Sequence, residues 1–268
     1  MSIDVYPKRL DTDPWMEHAK QVIFADYGVN VSLEAKNKDL LKFGRNRDTE
    51  TEIATLMTLP DTVDNETYVA TNLITSIIST SAADGETVTI EGHTVASNVF
   101  TFVSQTKTLT GQTVATLGTA LGRVTRIYNS DTTELAGTIS VCEDDTYSSG
   151  VPDTAAGVHC QIFAGEQQSE KASTTLSSAD YWVITSFYAD MLSKASGAFA
   201  EVDLEVRLAS KVFRPVASIS CSDTHRGNFE FKPYIIVPPN ADIRLRAISD
   251  SGTGRDVSGG IEGSLLKA

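Results

Sequence analysis

Histidines are the side chains of this sequence best suited to chemistry, and their spacing argues against a metal site. The four of them, His18, His93, His159 and His225, are far apart in the chain. Two ligands on one element would need a pattern such as HxH or HExxH, and the sequence has neither. We therefore expect no metal and no cofactor.

The three cysteines predict neither a disulfide framework nor a zinc site. Cys142, Cys160 and Cys221 are odd in number, and none of them forms a CxxC pair. Cys142 and Cys160 lie on segments that could be adjacent strands, so one bridge between them is an alternative. Buried free thiols that act as small apolar side chains are the favoured interpretation.

Acidic and glycine-rich segments give no catalytic signature either. The pair at 144–145 and the stretch 61–66 offer oxygen ligands but lack the spacing of a calcium loop. No helix follows the glycine-rich stretches 252–255 and 259–263, so they predict turns rather than a phosphate site. No GxSxG nucleophile occurs. We expect no enzyme, although acids on strands leave open a glycan hydrolase, which needs two carboxylates about 5–10 Å apart.

Alternating apolar and polar residues predict an all-β fold. In 199–209, the apolar Leu204 and Val206 alternate with residues such as Glu205, which predicts one face on the core and one in water. Similar segments, bounded by Pro, Asn and Gly, recur at intervals of about 8–12 residues without helices between them. We predict an antiparallel β-sandwich or jelly-roll-like body, with strands near 68–78, 86–91, 99–106, 112–116, 123–128, 135–143, 158–164, 173–176, 181–188, 199–209, 212–218, 228–237, 242–248 and 257–266.

Residues 1–65 differ from this body. Asp13 as N-cap and Pro14 at the first helical position predict a helix over 14–25. The polar, locally basic stretch after it is interpreted as an extended arm that anchors the chain to a partner. Packing of this segment on the chain's own core is an equal alternative. The expected partner contacts are three apolar anchors and five cations: Leu40, Leu41, Phe43, Lys36, Lys38, Lys42, Arg45 and Arg47.

The domain assignment follows from this difference. Residues 1–65 are the helix and arm, and 66–268 are the body, either as one sandwich or as two stacked β-subdomains with a break near 144–157. Deleting residues 1–60 is then expected to leave a folded body that no longer joins its partner. Phe43→Ala is expected to weaken that contact more than Lys36→Ala, because buried aromatic anchors dominate interfaces.

Composition limits the function classes. A net charge of −13 over 268 residues argues against a nucleic-acid partner, because such proteins bind phosphates with Lys and Arg. The first residues form no signal-peptide core, and no apolar run reaches the roughly 20 residues of a membrane span. We expect a protein that is made in a cytoplasm and has no membrane partner.

Seven short stretches, in order along the chain, carry a family resemblance. They are LKFGRN at 41–46, VTIEG at 88–92, LTGQT at 109–113, IFAGEQQS at 162–169, VFR at 212–214, VPPNADIRLRA at 237–247 and VSGGIEG at 257–263. Together they resemble a family of virion structural proteins from tailed bacteriophages, especially those of marine bacteria. The chain departs from that family at 62–65, where related proteins have a segment rich in Trp and Gly.

The resemblance implies a β-rich particle component that is not an enzyme. We expect a head-attached cement or decoration protein, or a neck protein, that binds the capsid and stabilises the particle. Its expected partners are the major capsid protein or neck and tail proteins, and copies of itself in a trimer. Its expected location is a virion assembled in the cytoplasm of a bacterial host. A tail-attached adhesin that binds a host receptor is the alternative, and a glycan depolymerase is the least favoured interpretation.

Overall fold

The structure is a computed structural model that describes residues 38–49, 54–57, 59–60, 63, 65–192, 198–250 and 255–267. These residues form eighteen β-strands and one 3₁₀ turn, Ala155–Gly157, and contain no α-helix. The all-β prediction is therefore confirmed, whereas the helix predicted at 14–25 lies outside the described residues. Within the described ranges, no helix has the length and apolar character needed to cross a membrane.

The strands are closely spaced, as the alternating sequence predicts, and β-strand lengths range from 2 to 13 residues. In chain order they are β1 (Lys38–Thr49), β2 (Ala54–Thr55), β3 (Ile74–Ser79), β4 (Thr87–Ala96), β5 (Val99–Thr108), β6 (Ala115–Leu121), β7 (Arg123–Asn129), β8 (Ile139–Glu143), β9 (Tyr147–Ser148), β10 (Val151–Pro152), β11 (Val158–Ile162), β12 (Ser173–Thr175), β13 (Asp180–Leu192), β14 (Phe199–Leu208), β15 (Arg214–Ser222), β16 (Gly227–Val237), β17 (Ala241–Ser249) and β18 (Arg255–Lys267).

Four sheets hold most of these strands, and every pairing between named strands is antiparallel. Sheet A has the order β1-β18-β13-β16, and sheet B has the order β12-β17-β14-β15 with β2 paired to β17. Sheet C has the order β11-β8-β3-β6, and sheet D has the order β5-β4-β7. The strands β9 and β10 form a separate small hairpin.

Two large hydrophobic cores divide the body into an N-terminal and a C-terminal unit. The core of the N-terminal unit joins sheets C and D through residues such as Ile77, Val141 and Ile127. The core of the C-terminal unit joins sheets A and B through residues such as Trp182, Phe187 and Leu245. Two sheets enclosing one core is sheet-on-sheet packing, in which each strand presents alternate side chains to the interior.

The segment 144–157 does not separate the two units. It lies between β8 and β11, which pair with each other in sheet C, with Ile139 opposite Ile162. The segment therefore belongs to the N-terminal unit. The chain passes from the C-terminal core to the N-terminal core between Leu56 and Val69, and it returns at 163–171. In this pair of strands Cys142 lies opposite Val158 and Cys160 lies opposite Val141. The three cysteines are buried and form no disulfide.

The described part of the predicted arm belongs to the body. β1 is an edge strand of sheet A and pairs with β18 from Lys38 opposite Leu265 to Thr49 opposite Arg255. Farther along the chain, β2 pairs with β17. The deletion of 1–60 considered above would therefore remove two strands from the C-terminal unit. Residues 38–49 and 54–57 therefore agree with the second alternative for the arm, in which it packs on the chain's own core.

The outward face of sheet B differs from its sequence prediction. Leu204 is fully buried, as predicted, but Glu205 on the opposite face is only 3% exposed. Glu205 lies opposite Arg244 of β17, and Arg207 lies opposite Asp242. The prediction that this face is in water is therefore wrong at these positions, because the N-terminal unit and the turn before β15 cover it.

Candidate functional site

The outward face of β1 combines exposed apolar side chains with a fixed backbone. Leu41 and Phe43 alternate with the less exposed Lys42, and their side chains are 59% and 39% exposed. Leu40, on the other face, packs against the core of the C-terminal unit. At Gly44, β1 passes so close to the backbone of two other segments that no side chain would fit. A Cβ there would lie 2.1 Å from Leu56 O.

Two of the predicted partner cations are already used within the chain. Arg45 pairs with Asp256 at the start of β18, with Nε donating to Oδ1 at 2.6 Å. Arg47 pairs with Glu166 on the segment between the two units. These ion pairs link β1 to β18 and to the segment between the two units.

Lys42 crosses from β1 to the N-terminal unit. Its Nζ donates to Thr125 O of β7 at 3.1 Å. Burial lowers the pKa of Lys42 to about 8, and Glu91 acts against that shift. The buried ammonium of Lys42 therefore connects the two units and is not a surface charge.

A groove of about 810 Å³ runs beside β1. One wall is 40–43 of β1, another is Glu91 with Thr125 and Arg126, and the floor is 166–171. The floor is held against β7, since Asn129 N donates to Gln167 O at 2.8 Å and Ser169 N donates to Ile127 O at 2.9 Å. The volume is within the range of about 300–1,000 Å³ typical of binding sites.

Of the eight residues predicted to contact a partner, the structure brings four to this groove. These four are Leu40, Leu41, Lys42 and Phe43. Lys38 begins β1, while Lys36 lies outside the described residues. Sequence reasoning did not anticipate the opposite wall, because Glu91, Arg126 and Glu170 are remote in sequence from β1 and meet it only in the folded chain.

A second polar assembly lies buried at the junction between the two units. Asp242 Oδ1 accepts from Arg123 Nε at 3.0 Å and from Thr175 Oγ1 at 2.6 Å. Asp242 Oδ2 accepts from Arg207 Nε at 3.0 Å. One carboxylate of the C-terminal unit thus binds an arginine from each unit.

Tyr68 lies at the centre of this junction. Its hydroxyl donates to Glu66 Oε2 at 2.8 Å, and its ring centroid lies 4.4 Å from the Arg207 guanidinium carbon and 5.0 Å from that of Arg123. Burial and the charge of Glu66 raise the pKa of Tyr68 well above its ordinary value. Lys171 Nζ donates to Glu66 Oε1 at 2.5 Å, so the carboxylate is neutralised as well.

The ion pairs of the junction connect the two units. The carboxylates of the junction are occupied by cations, and removal of one partner from such a buried pair leaves an uncompensated charge. Outside the junction, His159 Nε2 lies 3.1 Å from Glu143 Oε1, and burial lowers the pKa of His159. Burial raises the pKa of the Cys142 thiol to about 11, which favours the protonated thiol at neutral pH. The described ranges contain no group of three or more His, Cys, Asp or Glu side chains placed to hold a metal.

Comparison with known proteins gives weak similarities. No known protein family and no curated protein matches the chain. The infectious bursal disease virus VP2 subviral particle is 10% identical, covers 92% of this chain and 77% of its own, and aligns with a TM-score of 0.22. The PBSX exported protein XepA is 13% identical, covers 85% of this chain and 86% of its own, and aligns with a TM-score of 0.20. The T13 viral particle of the bursal disease virus is 8% identical, covers 93% of this chain and 80% of its own, and has a TM-score of 0.23. The chain thus has a weak structural similarity to viral capsid proteins, and its function is argued below from its own residues.

Proposed function

We propose that this chain is a non-enzymatic structural protein of a bacteriophage virion. In the finer form of the proposal it is a cement or decoration protein of the head, or a neck protein, and it binds the capsid and stabilises the particle. The proposal joins the sequence resemblance to the architecture of the chain, in which antiparallel sheets and a buried charged junction form a rigid body.

The observation that carries the proposal is the exposed pair Leu41 and Phe43 on an edge strand. Both side chains point away from the core of the C-terminal unit, while Arg45 and Arg47 on the same strand are held by ion pairs. A rigid strand that presents an aliphatic and an aromatic side chain loses little conformational entropy on binding. Such side chains supply most of the energy of protein interfaces.

The tail-adhesin alternative has less support from the described residues. An adhesin needs exposed aromatic or polar side chains on a distal loop, for which the sequence offers 144–157 and 190–197. Residues 193–197 of the second loop lie outside the described residues. Tyr147 is the one aromatic residue of the first loop, and its hydroxyl donates to Glu143 O at 3.4 Å, toward the body. Asp145 accepts from Thr154 N at 2.6 Å, which closes the loop on itself.

Incorporation into particles tests the proposal. Phe43→Ala should weaken attachment by about 2 kcal/mol, roughly thirtyfold, because truncation removes a central aromatic anchor. The matched control is Phe199→Ala, which removes a similarly exposed ring from the start of β14. Particles that lack the protein would be incubated with each purified variant, sedimented, and analysed for bound protein.

Imaging of the reconstituted particles separates the two forms of the proposal. Density repeated over the shell identifies a decoration protein, and density at a single vertex identifies a neck protein. The proposal fails if wild-type protein does not bind particles at all, or if Phe43→Ala and Phe199→Ala bind equally to the wild type.

A further inference from the structure

β1 has one edge with which no described strand pairs. It is the outermost strand of sheet A, and β18 pairs with its other edge. Four consecutive residues of β1, 40–43, line the groove. Because neighbouring side chains of a strand point to opposite faces, a groove that meets all four of them runs along the backbone edge rather than over one face. Another extended segment can add to such an edge through main-chain hydrogen bonds.

The charges of the groove are balanced and already have partners. Three cations and three carboxylates line it, namely Lys42, Arg126, Lys171, Glu91, Glu166 and Glu170. The cations donate to oxygen atoms of the same chain, as Arg126 does through Nη2 to Gln168 Oε1 at 2.8 Å. A groove of this kind does not select a charged partner. It suits an extended segment that binds through its backbone and its apolar side chains.

The sequence directly before β1 has the pattern of such a segment. Residues 29–35 read VNVSLEA, so apolar and polar residues alternate over seven positions, with a single charge among them. This period of two is typical of a strand with one buried face. Gly28 precedes the segment, and Lys36 and Asn37 separate it from β1. Asn is favoured in tight turns, because it tolerates a positive φ. Residues 29–35 lie outside the described residues.

We infer that residues 29–35 form a β-hairpin with β1 and occupy the groove as a fifth strand of sheet A. A two-residue turn at 36–37 places Leu33 directly opposite Leu40. Since residues that lie opposite each other share a face of the sheet, Leu33 joins Leu40 on the side of the C-terminal core. A shift of one residue would turn the apolar side chains of the segment outward, so the two-residue turn gives the register that buries them.

The hairpin leaves the attachment surface of β1 open. In the same register the polar Ser32 lies opposite Leu41. Asn30 lies opposite Phe43, also on the face that points away from the core. The inference therefore goes beyond the proposed function and does not depend on it. Tethering favours the chain's own segment over that of a second copy, because a connection of two residues gives a high effective concentration.

A disulfide cross-link tests the position of the segment in the purified full chain. Directly opposite residues of an antiparallel pair have Cα atoms about 4.5–5.5 Å apart, which suits a disulfide. Ser32→Cys combined with Leu41→Cys should therefore form an intramolecular disulfide in most molecules under mild oxidation. The matched control combines Leu33→Cys with Leu41→Cys, whose side chains would point to opposite faces. It should cross-link at least about tenfold less, measured by non-reducing gels and peptide mass spectrometry.

Hydrogen exchange provides a second measurement, in which no thiol is added. The amides of 40–43 that face the groove should be protected in the wild type by the added strand. Leu33→Asp places a charge on the buried face of the segment and should speed their exchange at least about tenfold. Ser32→Asp makes the same kind of change on the outward face and should alter their exchange less than about twofold.

Three results would overturn the inference. The first is equal cross-linking of the two cysteine pairs, or none in either, and the second is equal exchange in Leu33→Asp and Ser32→Asp. The third is a cross-linked dimer, which would show that the segment of a second copy occupies the groove. No particle takes part in these measurements, so a failure here leaves the proposed function to its own binding assay.

Discussion

Replacing Glu205 should destabilise the C-terminal unit as much as replacing its buried neighbour Leu204. Glu205 is 3% exposed, its Oε2 accepts from Arg244 Nε at 2.8 Å, and its Oε1 accepts from Arg246 Nη2 at 2.7 Å. Glu205→Ala removes both acceptors and leaves the Arg244 guanidinium buried without its carboxylate.

The size of the effect follows from those two contacts. Hydrogen bonds to charged groups contribute about 1.5–3 kcal/mol each, and breaking a buried ion pair from one side costs about 3–5 kcal/mol. We expect Glu205→Ala to lower the free energy of unfolding by about 3–5 kcal/mol. Leu204→Ala removes buried methyl groups from the other face of β14 and should cost about 2–5 kcal/mol.

Urea unfolding of the purified variants measures these differences, followed by tryptophan fluorescence, since Trp182 is fully buried in the same unit. Glu201→Ala is the matched control, because Glu201 is an exposed acid on the same face of the same strand and should change stability by less than about 0.5 kcal/mol. If Glu205→Ala matched Glu201→Ala, the ion pairs would contribute nothing and our account of the junction would be wrong.

Two further predictions concern pH. Burial lowers the pKa of His93 from 6.5 to about 4, so the unfolded chain binds more protons than the folded chain between these values, and stability should fall by at most roughly 3 kcal/mol as the pH drops from 6.5 to 4. His93→Leu should flatten that part of the curve, and an unchanged acid slope in urea titrations would refute the assignment. The pKa of Lys42 is lowered from 10.5 to about 8, so its contribution to stability should rise as the pH increases from 8 to 10.5. Lys42→Met should remove this rise, measured as the difference in thermal midpoint between pH 8 and pH 10, and an equal rise in both proteins would contradict it.

Alternation in the sequence was sufficient to predict most of the strands. The segment predicted at 199–209 is β14 at Phe199–Leu208, and the one predicted at 228–237 is β16 at Gly227–Val237. These segments alternate because one face meets a core made of residues from the paired sheet. The inward direction of Leu204 follows directly from that pattern.

Alternation could not reveal what covers the other face. Glu205 and Arg244 are polar and therefore suggest contact with water, but the rings of Tyr68 and Phe213, which are distant from Arg244 in sequence, lie over the Arg244 guanidinium. A signal was present in β14 and β17, where acids and arginines recur at every second residue. To interpret this pattern as ion pairs between neighbouring strands, one needs the strand register, which places Glu205 opposite Arg244.

β1 was interpreted as an arm for a related reason. Its inward positions include Lys42 and Gly44, which are atypical of a core-facing strand. Lys42 is accommodated because β7 offers it a carbonyl oxygen, and Gly44 because the backbone near Leu56 is too close for any side chain. Each reason depends on a segment far away in the chain, so the groove beside β1 could be found only in the folded protein.

The position of β18 has a consequence for synthesis. This strand lies between β1 and β13, so Leu41 finds its partner Glu262 only after more than two hundred further residues have been added. The N-terminal unit is made of pairings within 74–162 and can be completed while the ribosome is still translating. Sheet A, by contrast, cannot form until β18 has been synthesised, and the edge of β1 that meets β18 stays unpaired until then. Non-local pairing of this kind is slow and exposes strand edges to aggregation. We therefore expect the nascent chain to bind chaperones through β1, and a chain that ends before residue 255 to remain bound to them in pull-down experiments rather than to be released.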